Sequence, residues 1–340
     1  MRIVHAVCTD AFAGVERHIA MLAVAQADSG HEVVVVGGHA RTMREVMDRP
    51  DIRHVAASTV WEVSRALGRL GDASVFNVHM TSAEIAAALA RRSRRVPVVA
   101  TRHFAATRGR SSRAAGLVAR LAARRISAQI AVSRFVADRI EPTSTVVVSG
   151  VAPAGEPRAA SARERRVLVA QRLEPEKQTA DAVRIFAASG LAAEGWSLDV
   201  AGEGRQRRRL ESLASQLGVG QAVRFLGHRS DTAELMDRAA VLLAPRPDEA
   251  LGLTVLEAMS HGLPVVAAAG GGHLETICTT APETCYSIGD LTAAASLLAE
   301  LAHDPARRNA LGQRLRTAQL RHFSVAAQAA ATEAVYRSVL

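Results

Sequence analysis

The stretch EALGLTVLEAM, Glu249 to Met259, places two carboxylates, Glu249 and Glu257, around seven residues that carry no other charge. Taken alone it reads as an amphipathic helix with two solvated acids. Its flanks change that reading. Pro245 and Pro247 close the apolar run AVLLAP and keep the next loop out of helix. Gly252 lets the backbone approach another group closely. The helix then starts near Leu253 and stops at Gly262-Leu-Pro264, an ordinary helix exit. Glu249 is thus expected on the loop before the helix and Glu257 one turn inside it. Amides at a helix start can hold phosphate oxygens, and a carboxylate can accept from two adjacent sugar hydroxyls.

Working outward, short β-branched runs alternate with Ala/Leu/Arg helical patterns from end to end. Six strand candidates fall before residue 150: Ile3 to Val7, then runs from Glu32, Ser74, Val96, Ala128 and Ser144. Five more begin at Arg166, Ser197, Ala222, Ala240 and Leu263. Continuous apolar strands separated by helices imply parallel sheets covered on both faces. The stretch VAPAGEPRAASARE is rich in Pro, Ala, Gly and Ser and reads as a linker. The expectation is two Rossmann-like, doubly wound α/β domains facing a central cleft. Their bounds are 1–150 for the first domain, 151–165 for the linker, 166–322 for the second domain and 323–340 for a helix returning toward the first. Ligands are expected beyond the carboxyl ends of the strands.

The 340 residues suffice for two ordinary domains. No apolar run reaches bilayer length, and the start, MRIVHAVCTDAF, lacks the regions of a signal peptide. A soluble cytoplasmic protein is expected. Cys8, Cys278 and Cys285 read as three reduced thiols. The twelve histidines contain no H-x-H or HExxH pattern, so no metal site is expected.

Charge is uneven. Residues 1–150 carry 21 basic and 12 acidic side chains, whereas residues 151–340 carry 21 of each. The excess gathers in Arg91 to Arg95 and in Arg108, Arg110, Arg113, Arg120, Arg124 and Arg125. Such a field draws anions: phosphates, nucleic acid or an acidic lipid surface. A solvated arginine-rich face is the plain alternative. Of 42 basic residues, 41 are arginine, and Lys177 is the one lysine. A compact ammonium kept there suggests a place that a fork-shaped guanidinium does not fit.

In the second half, the first strand leads to QRLEPEK, which puts Arg172 and Lys177 on one loop, suited to a diphosphate. The next strand enters AGEGRQRR, where Gly202 and Gly204 permit a tight turn into a helix whose amides could face an anion. Three glycines, Gly270 to Gly272, stand at another strand end. In the first half, Ser133 reads as a helix N-cap, and His79 alone reads as a strand-end core histidine.

Taken in order, these motifs resemble retaining glycosyltransferase family 4, which has the GT-B fold: R-x4-K, G-E-G, FLG, E-x7-E with AM, then G-x-P-V-V-A and GG-x-x-E. Gly14 and Glu16 in AGVERHIAMLA resemble that family's first glycine-rich loop. His79, ATRHF around His103, AVSRF around Ser133, and Ser149 to Val151 resemble further motifs, so that the likeness spans nearly the whole chain. The resemblance implies that Arg172 and Lys177 bind a donor diphosphate, Glu249 contacts the transferred sugar, and Glu257 binds ribose hydroxyls. It places Gly14, Gly202, Leu251, Gly252 and Leu253 along the donor and His103 near the sugar and acceptor, with Glu249, His103, Lys177 and Arg172 as the catalytic set. Ala250, Leu251, Leu274 and Ser149 depart from the family's usual residues, and the chain is short for the family.

The function so implied is retaining transfer of a hexosyl or N-acetylhexosaminyl group from a nucleoside-diphosphate sugar, UDP ahead of GDP, to an acceptor hydroxyl. No D-x-D pair is present, so metal independence is expected, with no cofactor beyond the donor. Peripheral contact of the N-terminal arginines with an anionic membrane is expected, and nucleic acid is not. One alternative is a non-hydrolysing sugar-nucleotide epimerase of the same fold. Another is a basic nucleic-acid-binding protein, which sparse aromatics disfavour. An NAD-dependent dehydrogenase lacks the G-x-G-x-x-G after the first strand.

Overall fold

A computed structural model describes residues 1–106, 113–140 and 143–340, with only the backbone at 113–115. Arg108 and Arg110 therefore lie outside the described residues, as does the side chain of Arg113. The chain divides into one unit of Met1–Gly150 with Val325–Leu340 and another of Val151–Ser324.

The first unit runs β1 (Arg2–Ala6), α1 (Gly14–Asp28), β2 (Glu32–Val36), α2 (Ala40–Val46), β3 (Ile52–Val55), α3 (Val60–Leu67) and β4 (Val75–His79). It continues with α4 (Met80–Leu89), β5 (Val98–Arg102), α5 (Arg113–Ala123), β6 (Ala128–Ala131), α6 (Arg134–Ala137) and β7 (Thr145–Val146). Its seven strands are all parallel, in the order β3-β2-β1-β4-β5-β6-β7. Strand side chains alternate faces. Val4, Ala6, Phe76, Val78, Val98 and Ala100 pack with α3 and α4 residues on one face. The opposite face is apolar toward α1 at Val33 and Val35. At its centre, however, it carries a buried polar row of His5, Asn77, His79 and Thr101.

The second unit runs β8 (Arg166–Ala170), α7 (Thr179–Ala188), β9 (Ser197–Ala201), α8 (Arg207–Gln216), β10 (Val223–Gly227), α9 (Thr232–Arg238) and β11 (Val241–Ala244). There follow α10 (Leu253–Ser260), β12 (Val265–Ala268), α11 (Ile277–Thr280), β13 (Cys285–Tyr286), α12 (Leu291–His303) and α13 (Pro305–His322). Its parallel strands are ordered β10-β9-β8-β11-β12-β13. The last helix, α14 (Val325–Arg337), belongs to the first unit, where Tyr336 is fully buried with Ile3, Val75 and Val99. Both strand orders reverse next to the first strand of their sheet, as in doubly wound folds.

Three features differ from the expectation. The edge strands β3 and β13 have no counterpart among the expected strands: β3 is short and broken by the polar Arg53 and His54, and β13 is only Cys285–Tyr286. The segment 151–165, expected as a linker, is fastened to the second unit. Val151 N–H bonds the Phe323 carbonyl at 2.9 Å, and Ala160 N–H bonds Asn309 Oδ1 at 2.7 Å. Arg163 donates to the carbonyls of Met236, Ala239 and His261. Finally, Cys278 and Cys285 form a disulfide rather than two reduced thiols. A seven-residue separation with a turn between α11 and β13 brings them together, and count alone gave no hint of that. Cys8 is the free thiol.

Candidate functional site

In the second unit the strand order reverses between β8 and β11. The loop after β8 is held by Gln171, whose Nε2 donates to the Lys177 carbonyl at 2.8 Å and to Thr179 Oγ1 at 3.0 Å. Gln178 takes the left-handed conformation, φ 54°, between the turn Pro175–Lys177 and α7. A non-glycine residue there is uncommon, and it turns the chain so that Lys177 faces the neighbouring loop.

That neighbour is the loop after β11, shaped by the three glycines. A Cβ on Gly270 would lie 2.1 Å from the Pro247 carbonyl oxygen, on Gly271 2.4 Å from that of Glu249, and on Gly272 2.3 Å from Leu251 Cα. Gly272 N–H also bonds the Glu249 carbonyl at 2.7 Å. Only glycines let the backbone after β12 lie this close to the Glu249 loop. Gly252 has φ 95° and a Cβ there would meet the His273 ring at 3.1 Å, so side chains are excluded by conformation and space together.

On this frame Lys177 Nζ lies 2.8 Å from Glu249 Oε2, and Arg246 Nη1 lies 3.5 Å from the same oxygen. Burial pushes the Glu249 carboxyl up, but Lys177 and Arg246 outweigh it and hold the group below its ordinary value. Burial likewise works against the Arg246 charge, and Glu249 and Asp248 overcome it. His273 is 2 % exposed. It donates through Nδ1 to the Ala268 carbonyl at 3.1 Å, and burial pushes its pKa down. Arg246 and His273 were not among the residues singled out from sequence. The signals were local: Arg246 stands three residues before Glu249, and His273 directly follows the glycines.

The other expected residues fall as follows. Arg172 is largely exposed and pairs with Glu176 at 3.1 Å, apart from the Lys177–Glu249 pair. Gly202 commits its N–H to the Gly227 carbonyl at 2.8 Å. A Cβ on it would lie 1.9 Å from the Gln171 carbonyl oxygen. It therefore packs the end of β9 on the Arg172 loop, and its own amide is not aimed at an anion. Leu251 is 3 % exposed. Leu253 opens α10, whose N-cap Gly252 supplies no side-chain acceptor, so no cap side chain occupies the first-turn amides. Glu257 is half-buried one turn further on.

In the first unit the order reverses between β1 and β4. Here the structure gathers four histidines that no short spacing announced. His5 lies on β1, His79 ends β4, His103 follows β5, and His18 lies on α1. His5 Nε2 is 2.7 Å from Gln26 Oε1, His5 Nδ1 is 3.1 Å from His79 Nε2, and His79 Nδ1 is 2.9 Å from His103 Nε2. The His18 ring meets the His103 ring edge-on at 4.6 Å. Its Nδ1 is 3.0 Å from Ser149 Oγ and its Nε2 3.2 Å from Gln328 Nε2. Met80, directly after His79, has φ 69°, a strained conformation for such a residue that redirects the chain from β4 into α4. Burial lowers His5 to about 4 and His103 to about 3. It also carries His18 and His79 well below the ordinary histidine value. His103 alone keeps partial exposure.

His18, His79 and His103 bring possible ligand atoms within 4.8 Å of one another. Five of their six ring nitrogens are already hydrogen-bonded, so a metal would have to displace those bonds. Nearby, Glu16 is 2 % exposed and accepts from Thr9 Oγ1 at 2.7 Å and Ala13 N–H at 2.9 Å. It fixes the loop that presents Gly14, which is exposed and whose Cβ position is open space. Ser133 caps α6, accepting from Val136 N–H at 3.1 Å.

Two family models match this chain. The model of glycosyl transferases group 1 matches residues 156–318, and that of glycosyltransferase family 4 matches residues 12–147. The chain belongs to the GT-B glycosyltransferases of family 4 type. A putative glycosyltransferase, EpsD of Bacillus subtilis, is 37% identical over 121 residues, covering 36% of this chain and 32% of that one. Glycogen synthase of Mycobacterium tuberculosis is 31% identical over 198 residues, 56% of this chain and 48% of that one. The chain thus matches less than half the length of these curated relatives. Among solved structures, Anabaena Alr3699/HepE in complex with UDP and glucose superposes with a TM-score of 0.82 at 19% identity, covering 99% of this chain and 100% of that one. At that identity the likeness establishes the family fold, two Rossmann-like parallel-sheet domains.

Proposed function

We propose that this family member is a retaining, metal-independent glycosyltransferase that moves a hexosyl or N-acetylhexosaminyl group from a nucleoside-diphosphate sugar to an acceptor hydroxyl. The observation that carries the reading is the Lys177–Glu249–Arg246 group at the β8/β11 reversal, beside the uncapped start of α10. Breaking the donor's glycosidic bond leaves negative charge on a diphosphate and positive charge on a sugar. Preorganised cations and amides suit the first, and a carboxylate suits the second. Lys177 and the α10 amides are assigned to the diphosphate and Glu249 to the transferred sugar. Glu257 is assigned to the ribose, and Arg172, exposed and paired with the surface carboxylate of Glu176, turns to the diphosphate on binding.

From the first unit, Gly14 serves as a glycine that its own domain does not require, which leaves room for a phosphate against the backbone. His103 meets a hydroxyl of the sugar or the acceptor. UDP is the favoured nucleotide, supported by the fold relative that holds UDP and glucose. The departing phosphate assists deprotonation of the acceptor, so no covalent nucleophile is assigned.

An anionic membrane is the proposed peripheral partner. Its support is the Arg91 to Arg95 cluster together with α5, which exposes Leu117, Val118 and Leu121 alongside Arg120 and Arg124. Among the described residues no helix is long and apolar enough to cross a membrane. The deciding experiment is a thermal-shift screen of nucleoside-diphosphate sugars, followed by measurement of nucleotide release with candidate acceptors. Stabilisation by UDP-sugars with acceptor-dependent release supports the reading. Stabilisation with sugar isomerisation and no acceptor would move it to the epimerase.

A further inference from the structure

We propose that Gln26, His5 and His79 are positioning residues that hold His103 as its Nε2–H tautomer, leaving an unprotonated Nδ1 to accept from a substrate hydroxyl. A neutral imidazole has one donor and one acceptor nitrogen. Gln26 Oε1 can only accept, so the 2.7 Å contact fixes the His5 proton on Nε2. His5 Nδ1 is then an acceptor and takes the Nε2–H of His79 at 3.1 Å. His79 Nδ1 in turn takes the Nε2–H of His103 at 2.9 Å. The chain ends on His103 Nδ1, which has no hydrogen-bond partner among the described residues; of the four residues, His103 is the one not fully buried.

Two surroundings hold this chain. The Gln26 amide also meets Tyr336, whose Oη lies 3.4 Å from Gln26 Nε2 and 2.7 Å from Asn77 Nδ2. Asn77 Oδ1 accepts from Thr101 Oγ1 at 2.8 Å. If the Gln26 amide were turned over, every proton in the chain would shift to the other nitrogen, and His103 would offer N–H instead of a lone pair. The proton pattern is therefore the testable content. His18 stands outside the chain and takes no proton from it. Gly150 N–H donates to Gln328 Oε1 at 2.8 Å, so Gln328 Nε2 donates to His18 Nε2, and His18 Nδ1–H goes to Ser149. The His18 edge then braces the His103 ring at 89°.

Because these rings are buried and neutral, a second proton on any of them would break the chain. His103 therefore stays an acceptor through the physiological range, unlike an exposed histidine. That Nδ1 meets a substrate hydroxyl rests on the function proposed above. The tautomer does not.

The test uses the full chain labelled with ¹⁵N-histidine and long-range ¹H–¹⁵N correlation, with the His103 signals identified by their loss in His103→Gln. The expected result is a protonated Nε2 and a bare Nδ1 at His103, unchanged from about pH 6 to 8. A proton on Nδ1, or a mixture of tautomers, overturns the proposal on the wild-type protein alone. Gln26→Leu removes the terminal acceptor without touching His103, and should convert His103 to a tautomer mixture while the near-native circular dichroism is kept. An unchanged tautomer in that folded variant would show that Gln26 does not set it. Stoichiometric zinc, nickel or copper in protein purified without chelator would replace the chain by a metal site and also overturn it. A bare Nδ1 without glycosyl transfer from any nucleotide sugar would reject the proposed function and leave the positioning intact.

Discussion

Lys177 and Glu249, 72 residues apart in sequence, stand 2.8 Å apart on the loops that follow two adjacent parallel strands. The one lysine of the chain is thus spent on the first glutamate of the E-x7-E stretch. Both side chains are mostly buried, at 15 % and 20 % exposure, and neither would be left without its partner at low cost. A donor diphosphate entering beside Lys177 would share its ammonium with Glu249. Lys177 and Arg246 together favour the ionised form of this carboxylate.

From this follows a prediction on Lys177. Lys177→Ala should lower kcat by roughly 10²-fold or more, the scale of losing one preorganised donor. Lys177→Arg keeps the charge but must fit a planar fork where Arg246 already stands 3.5 Å from the same carboxylate oxygen. It too should be clearly impaired. Steady-state kinetics on the three proteins, each first shown to be folded, decide this. Wild-type rates in Lys177→Arg would make the lone lysine an accident of composition.

The two glutamates should separate kinetically. Glu249→Ala should lower kcat more than it raises the donor KM, because its proposed contact is the sugar whose geometry changes. Glu257→Ala should mainly raise the donor KM, because ribose is held alike before and during reaction. Equal and mild effects would return both to solvated positions on a helix.

Metal dependence gives a sharper contrast. With protein cations and α10 amides carrying the diphosphate charge, transfer should persist in excess chelator. A strict need for added Mn²⁺ or Mg²⁺ would show that these groups do not suffice.

The basic first domain predicts binding to vesicles containing acidic lipid, with release as salt is raised. Substituting Leu117 and Leu121 with Ser should weaken that binding without altering the melting temperature, since both are exposed at 62% and 52%. Co-sedimentation at low and high salt measures it. Failure to bind at low salt would leave the arginines as a solvated face.

The strand pattern and the E-x7-E helix were readable because both depend on local periodicity and turn residues. Glu249 before α10 and Glu257 inside it fall where Gly252 and the prolines require. The histidine chain was not readable. His5, His79 and His103 meet only because β1, β4 and β5 are sheet neighbours, and Gln26 because α1 packs on that face. The same limit hid the task of Gly202, which depends on the Gln171 carbonyl across the sheet, and the Cys278–Cys285 bond, which depends on a turn.

The last prediction concerns pH. His5, His18, His54, His79, His103 and His273 are all held below the ordinary histidine value, with burial the first cause in each. In the unfolded chain each returns to about 6.5. Below that pH the unfolded chain binds protons that the folded chain refuses, so stability must fall as pH falls. The loss from each group continues until its folded pKa is reached, about 4 for His5 and about 3 for His103. Above about pH 6.5 both states are neutral at these sites and their contribution is flat. Each histidine adds up to roughly 1.4 kcal/mol per pH unit inside its window. Denaturant unfolding from about pH 8 to 4.5 should therefore show a plateau followed by a steepening decline. His5→Gln, if folded, should reduce the slope by one proton's share even where it costs stability overall. Four of the six sit in one cluster of the first domain, so its unfolding should show the steeper dependence. Stability that stayed level, or rose, on acidification through this window would mean that the buried imidazoles take up protons in the folded chain, and the neutral cluster would be wrong.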